Sequence, residues 1–172
     1  MIFKKATIQD VPTIASTMQT IYTQLDNKDL YIIDDEEFIY ETLHHHKGFT
    51  IMAMDENILA GYFIIRFPNP DEQEHLGDFL GFTQQQKEQC VYFDSAAVLP
   101  EYRHQGLQSR MLQECEKHLA HTSYHHALAT VSPDNPASLH SLLKNNFQII
   151  TTTKLYNGRS RHVLYKELKN ES

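Results

Sequence analysis

Arg103 and Gly106 stand three residues apart in the run LPEYRHQGLQS, directly before RMLQECEKHL, a stretch that reads as a helix. That arrangement can hold an anion. The first N–H groups of a helix have no carbonyl partner inside the helix, and its aligned peptide dipoles favour negative charge at that end. An arginine adds a forked donor that is always charged, and a glycine accepts the backbone angles of a sharp turn while letting a ligand come close. The chemistry on offer is therefore the binding of a phosphate group.

A site of this kind needs a strand, a turn and a helix to position it. The preceding run, VYFDSAAV from Val91 to Val98, is rich in β-branched and aromatic residues at its start and predicts a strand. Pro100 ends the strand pairing. In the helix, Leu107, Met111, Cys115 and Leu119 recur every four residues and Leu112 widens the apolar stripe, while Gln113, Glu114, Glu116 and Lys117 occupy the other face.

The rest of the chain supplies a sheet and covering helices. Ile2 to Ala6 predicts a strand, followed by a helix over about Val11 to Gln24 and a second one capped by Asp34 and running through Phe38 and Leu43. Phe49 to Met54 and Ile58 to Phe67 predict a hairpin. Pro68 to Glu88 reads as a long loop carrying Asp71, Glu72, Glu74 and Asp78, either a solvated insertion or an acidic lid that attracts a cation. His125 to Val131 predicts a further strand. Asn135-Pro136 is a strong helix start, and Phe147 to Thr153 with Arg161 to Leu168 predict two closing strands about an Asn157-Gly158 turn.

Two of these segments together resemble the GNAT superfamily of acyl-CoA-dependent N-acetyltransferases. Val98, Pro100, Tyr102 and Arg103 to Gln108 are similar to its acyl-CoA motif, which reads Arg or Gln, two residues, Gly, one residue, then Gly or Ala; Gln108 stands where that motif has a tiny residue. Downstream, Asn135 and Phe147 match a helix that begins at Asn and ends in Gly-Phe, with Asn146 in the glycine's place. The resemblance implies a mixed α/β (α+β) fold, a mostly antiparallel sheet of six or seven strands flanked by about four helices, with strands four and five splayed. It implies acetyl-CoA as co-substrate and contacts to it from Ala96, Val98, Arg103, His104, Gln105, Gly106, Leu107, Gln108, Ser109, Asn135 and Ser138.

The same resemblance implies attack by an amine on the thioester in a ternary complex, with a backbone N–H near Val98 polarising the carbonyl. Asp94 is the candidate general base: strand alternation puts it on the same face as Val98, near the splay, with Ser95 turned the other way. Many relatives carry a tyrosine as general acid where this chain has Leu142. Tyr156 and Tyr165 are alternative phenols, and the spacing selects neither. An acyl-CoA-binding sensor without turnover is the alternative to an enzyme.

Composition sets the outer bounds. At 172 residues, 41% hydrophobic and 22% charged, the whole chain reads as a single domain. A net charge of -7 argues against nucleic acid and leaves Arg103, Arg110 and Lys117 as the local supply of positive charge for a cofactor. No apolar run approaches the ~20 residues of a membrane span, and the polar start carries no signal peptide, so a cytoplasmic protein is expected. Cys90 and Cys115 read as reduced. His44, His45 and His46 point about 100° apart from one to the next on a helix, so no metal site is expected there. The acceptor reads as a small-molecule amine or a peptide, and dimers are common in the superfamily.

Overall fold

In the computed structural model, residues 1–30 and 34–168 are described; residues 31–33 and the last four of the expected single domain, 169–172, lie outside them. The strands are β1 (Ile2–Lys5), β2 (Gly48–Asp55), β3 (Ile58–Arg66), β4 (Cys90–Val98), β5 (His126–Val131), β6 (Gln148–Leu155) and β7 (Arg159–Glu167). The helices are α1 (Val11–Thr23), α2 (Glu36–His44), α3 (Gln84–Glu88), α4 (Leu107–Leu119) and α5 (Pro136–Lys144).

One seven-stranded sheet runs β1-β2-β3-β4-β5-β7-β6. Every neighbouring pair is antiparallel except β4 and β5, which run parallel. That pairing covers only Cys90–Tyr92 against His126–Leu128. Beyond those residues β4 and β5 part, as the expected splay requires, and one edge of β4 from Phe93 onward faces a gap.

Strand alternation sorts the core into two faces. Phe63, Phe93, Ala129 and Leu164 pack with Met111, Leu112, Cys115 and Leu142 of α4 and α5. Met52, Tyr62, Ile64 and Ala97 pack on the other face with Ile14, Met18 and Ile39 of α1 and α2. All five apolar positions of the α4 stripe are buried, and so are both free cysteines.

The segment 68–88 is more ordered than a loop. Gln86 N–H donates to Thr83 Oγ1 at 3.2 Å while Thr83 N–H donates to Gln86 Oε1 at 2.8 Å, a capping box that starts α3. Leu76 joins Cys90, Tyr92, Leu128 and Val163 in a third apolar cluster. The acids are engaged locally: Glu72 with Arg66 at 3.1 Å, Asp78 with Lys87 at 2.5 Å, and Asp71 accepting from Gln84 at 2.8 Å. Three of its four acids are thus engaged locally, and Leu76 anchors the segment to the sheet. Among the described residues, no helix is long and apolar enough to cross a membrane.

Candidate active site

The strand-to-helix turn is built much as its residues dictate. Tyr102 O–H donates to Asp55 Oδ2 at 2.7 Å, tying the turn to the β2–β3 hairpin, and Arg103 Nε donates to Val98 O at 3.2 Å. Gly106 takes φ 72° as the N-cap of α4. A Cβ there would meet nothing within 4 Å, so the left-handed backbone, not crowding, selects glycine. Arg103, His104, Gln105 and Gly106 are exposed. Arg110 N–H is the first in α4 to reach a carbonyl, that of Gly106 at 3.0 Å.

Three side chains expected near the phosphates lie elsewhere. Ser109 is buried and accepts from Asn145 Nδ2 at 2.8 Å, joining α4 to the end of α5. Arg110 stacks over the Phe3 ring at 4.8 Å, and Lys117 pairs with Glu114 at 2.8 Å. A helix turns its residues 100° apart, so only those at its start face the turn. Leu107 is likewise in the core, leaving its N–H as the part available to a ligand.

Gln108 and Ser138 meet across the gap: Gln108 Nε2 donates to Ser138 Oγ at 3.1 Å. Asn135 caps α5 by accepting Ser138 N–H at 3.3 Å. The same helix closes with Asn146 at φ 72° and Phe147 N–H on Leu142 O at 3.1 Å, so asparagine serves in glycine's left-handed place.

A cleft of about 290 Å³ passes through the splay. On the α4–α5 side it is lined by Phe93, Ala96, Gln108, Asn135, Ser138 and Leu142; on the α1–α2 side by Asp34, Arg66, Asp94, Thr130, Tyr156 and Arg161. The chamber on the second side holds the titratable groups.

Asp94 arrives there through an irregularity. Ile64 pairs with Ser95 and Ile65 with Phe93, which leaves Asp94 as the extra residue of a β-bulge. Uninterrupted alternation would put Asp94 on the face of Val98. Instead Val98 packs toward α4, whereas Asp94 Oδ1 lies 3.8 Å from Arg66 Nε on the opposite face. Burial raises the Asp94 pKa, the nearby Arg66 charge opposes the rise, and Glu72 adds to it.

Asp34 was expected as a helix cap, yet Asp35 does that work, accepting Phe38 N–H at 2.7 Å. Asp34 is left lining the cleft. Its pKa is pushed up to about 7, first by burial and then by the negative charge of Asp94. Two neighbouring Asp residues in the sequence are equally good caps, so only the tertiary setting separates them. Of the two candidate phenols, Tyr156 lines the cleft with its hydroxyl 3.1 Å from Thr130 Oγ1, while Tyr165 bonds His126 Nδ1 at 2.7 Å on the side covered by segment 68–88. Arg161, unnoticed in the sequence, is buried at 4% exposure. A charged residue at an alternating strand position gave no local sign of which way it would turn.

A sheet opened between parallel strands, with the start of α4 at one mouth and half-buried carboxylates at the other, is the architecture of an acyltransferase-type enzyme. The chain belongs to the acetyltransferase (GNAT) family, whose sequence profile matches residues 14–147. No curated protein matches it by sequence. Among solved structures it is similar to Arabidopsis thaliana NAA60 in complex with acetyl-CoA (TM-score 0.77, 15% identity, 97% of this chain and 98% of that one). It is also similar to yncA of Salmonella typhimurium with its cofactor acetyl-CoA (TM-score 0.72, 15%, 100% and 96%). A third likeness is to the ribosomal-protein-S18-alanine N-acetyltransferase of Escherichia coli (TM-score 0.71, 12%, 99% and 96%). At these identities the likeness concerns the fold.

Proposed function

We propose that the protein transfers an acetyl group from acetyl-CoA to the primary amine of a small molecule or peptide, by direct attack within a ternary complex. The observation that carries this reading is the cleft through the splayed sheet, with the glycine turn and helix start on one face and half-buried carboxylates on the other.

The residues present fit acetyl-CoA. Arg103, His104 and Gln105 with the N–H groups of Gly106, Leu107, Gln108 and Ser109 would hold its phosphates, and Ala96, Val98, Asn135 and Ser138 would line its pantetheine arm along the unpaired edge of β4. Bound there, it supplies an activated acetyl group as a thioester.

The chain's own part is to place and deprotonate the amine. An ammonium entering the second chamber meets Asp94, which accepts its proton directly or through water, and Asp34 shares the titration. An Asp34 pKa near 7 suits a base working around neutrality. A backbone N–H of Val98 or a neighbour polarises the carbonyl. Tyr156 is the phenol placed to protonate the leaving thiolate. A half-buried carboxylate pair, one member with its pKa raised to about 7, suits removal of an amine proton and so favours turnover over a sensor.

Calorimetric titration with acetyl-CoA, beside an Arg103→Ala, Gly106→Trp double variant, tests the cofactor assignment. Thiol release on adding an amine panel tests the reaction. Micromolar binding lost in the variant, with amine-dependent thiol release, is the expected result; no binding by the wild type overturns the reading.

A further inference from the structure

The chamber on the α1–α2 side contains two guanidinium groups with opposite fortunes. Arg66 is matched: Glu72 accepts from it at 3.1 and 3.4 Å, Asp94 lies 3.8 Å away, and its carbon sits 4.8 Å over the Tyr92 ring. Arg161 is unmatched. Its Nη1 donates to Ser160 O at 2.8 Å and its Nη2 to Asp29 O at 2.5 Å, both neutral backbone carbonyls. The Asp29 carboxylate is drawn to Arg159 instead, at 3.6 Å. Among the described residues no carboxylate forms an ion pair with Arg161, although it is 4% exposed and lines the cleft. A buried charge with no carboxylate in direct contact is costly, and an anion entering the cleft relieves that cost.

Geometry places this cation on the same face as the acids. Arg161 is two residues from Val163 along β7, Thr130 two from Leu128 along β5, and both Val163 and Leu128 belong to the cluster on the Tyr92 side of the sheet. Asp94, Asp34 and Arg161 thus line one chamber, roofed by Leu30 and Phe38. Other charges facing Arg161 are Arg159, Asp29 and Asp134. We propose that the acceptor is an amine that also carries a carboxylate, its amine against Asp34 and Asp94 and its carboxylate against Arg161. This rests on the acetyltransferase reading and narrows its substrate to an amino acid or to a peptide end with an acidic residue.

The test uses matched ligands on the full chain, so it does not depend on a variant folding. Free amino acids and their carboxamides are compared as acceptors by thiol release, and as ligands by thermal shift of the CoA-saturated protein. Tripeptide amides with Glu or Gln in second place separate a peptide end from a free amino acid. At least one acid is expected to exceed its amide by about tenfold or more in kcat/KM and to raise Tm where the amide does not. In Arg161→Gln the ratio of acid to amide collapses toward one, and in Arg161→Lys part of it returns. Amides equal to acids throughout, in both turnover and thermal shift, overturn the inference. If no amine is acetylated but acids alone raise Tm, the reaction reading fails while the carboxylate site stands.

Discussion

Arg66 Nε lies 3.8 Å from Asp94 Oδ1, and the same guanidinium forks onto Glu72 at 3.1 and 3.4 Å. One cation thus bridges a base candidate in the cleft and an acid of segment 68–88. Arg66 pulls the Asp94 pKa down and Glu72 pushes it up. The rising limb of kcat/KM against pH should therefore move to higher pH in Arg66→Gln and to lower pH in Glu72→Gln. Asp94→Asn should lower kcat/KM by about 10²–10⁴. Steady-state kinetics between pH 5 and 9 check all three, and a limb that stays put in both neighbours' variants removes Asp94 from the role.

Asp34 sets a stability trend with a definite sign. Its folded pKa of about 7 exceeds the ordinary carboxylate value, so the unfolded chain releases this proton first. Its contribution to stability is full below about pH 4 and is lost as pH rises through 7. Asp34→Asn should raise stability at pH 8 by on the order of 1–2 kcal/mol, after allowing for partial exposure, and change it little at pH 4. Urea unfolding at the two pH values measures the difference.

Gly106→Ala tests the left-handed cap of α4 at φ 72°. Space is open around the new methyl, so the cost is backbone conformation alone, about 1–2 kcal/mol. Acetyl-CoA affinity should fall as the turn relaxes, which calorimetry reads against denaturation midpoints.

Ser109→Ala separates packing from ligand contact. The hydroxyl accepts from Asn145 Nδ2, which also holds Ser141 O at 2.7 Å. The expected loss is about 1 kcal/mol of stability with acetyl-CoA affinity unchanged, because the Ser109 side chain is buried against Asn145. A tenfold weaker affinity would give the side chain a ligand role.

Tyr156→Phe and Tyr165→Phe form a matched pair. The first removes a cleft hydroxyl and should lower kcat about tenfold or more, with little change in the KM for acetyl-CoA. The second breaks a bond to His126 outside the cleft and should affect stability instead.

The order of elements, the α4 stripe, the glycine turn and the Asn146-Phe147 closure were readable because each is written in neighbouring residues: a period of 3.6 or 2, a cap, a positive φ. Even α3, missed as loop, had its signal in the Thr83 to Gln86 spacing. What decided the site was different in kind. The bulge that turns Asp94 away from Val98 depends on how β4 registers with β3, and the release of Asp34 to the cleft depends on which of two aspartates α2 takes as its cap. Arg161 becomes an unmatched buried cation only because β7 lies beyond β5 and the Asp29 backbone folds over it. Local patterns determined the elements; the charges that meet in the cleft come from segments more than a hundred residues apart, and only their packing against one another set which of them share a chamber and with what charge.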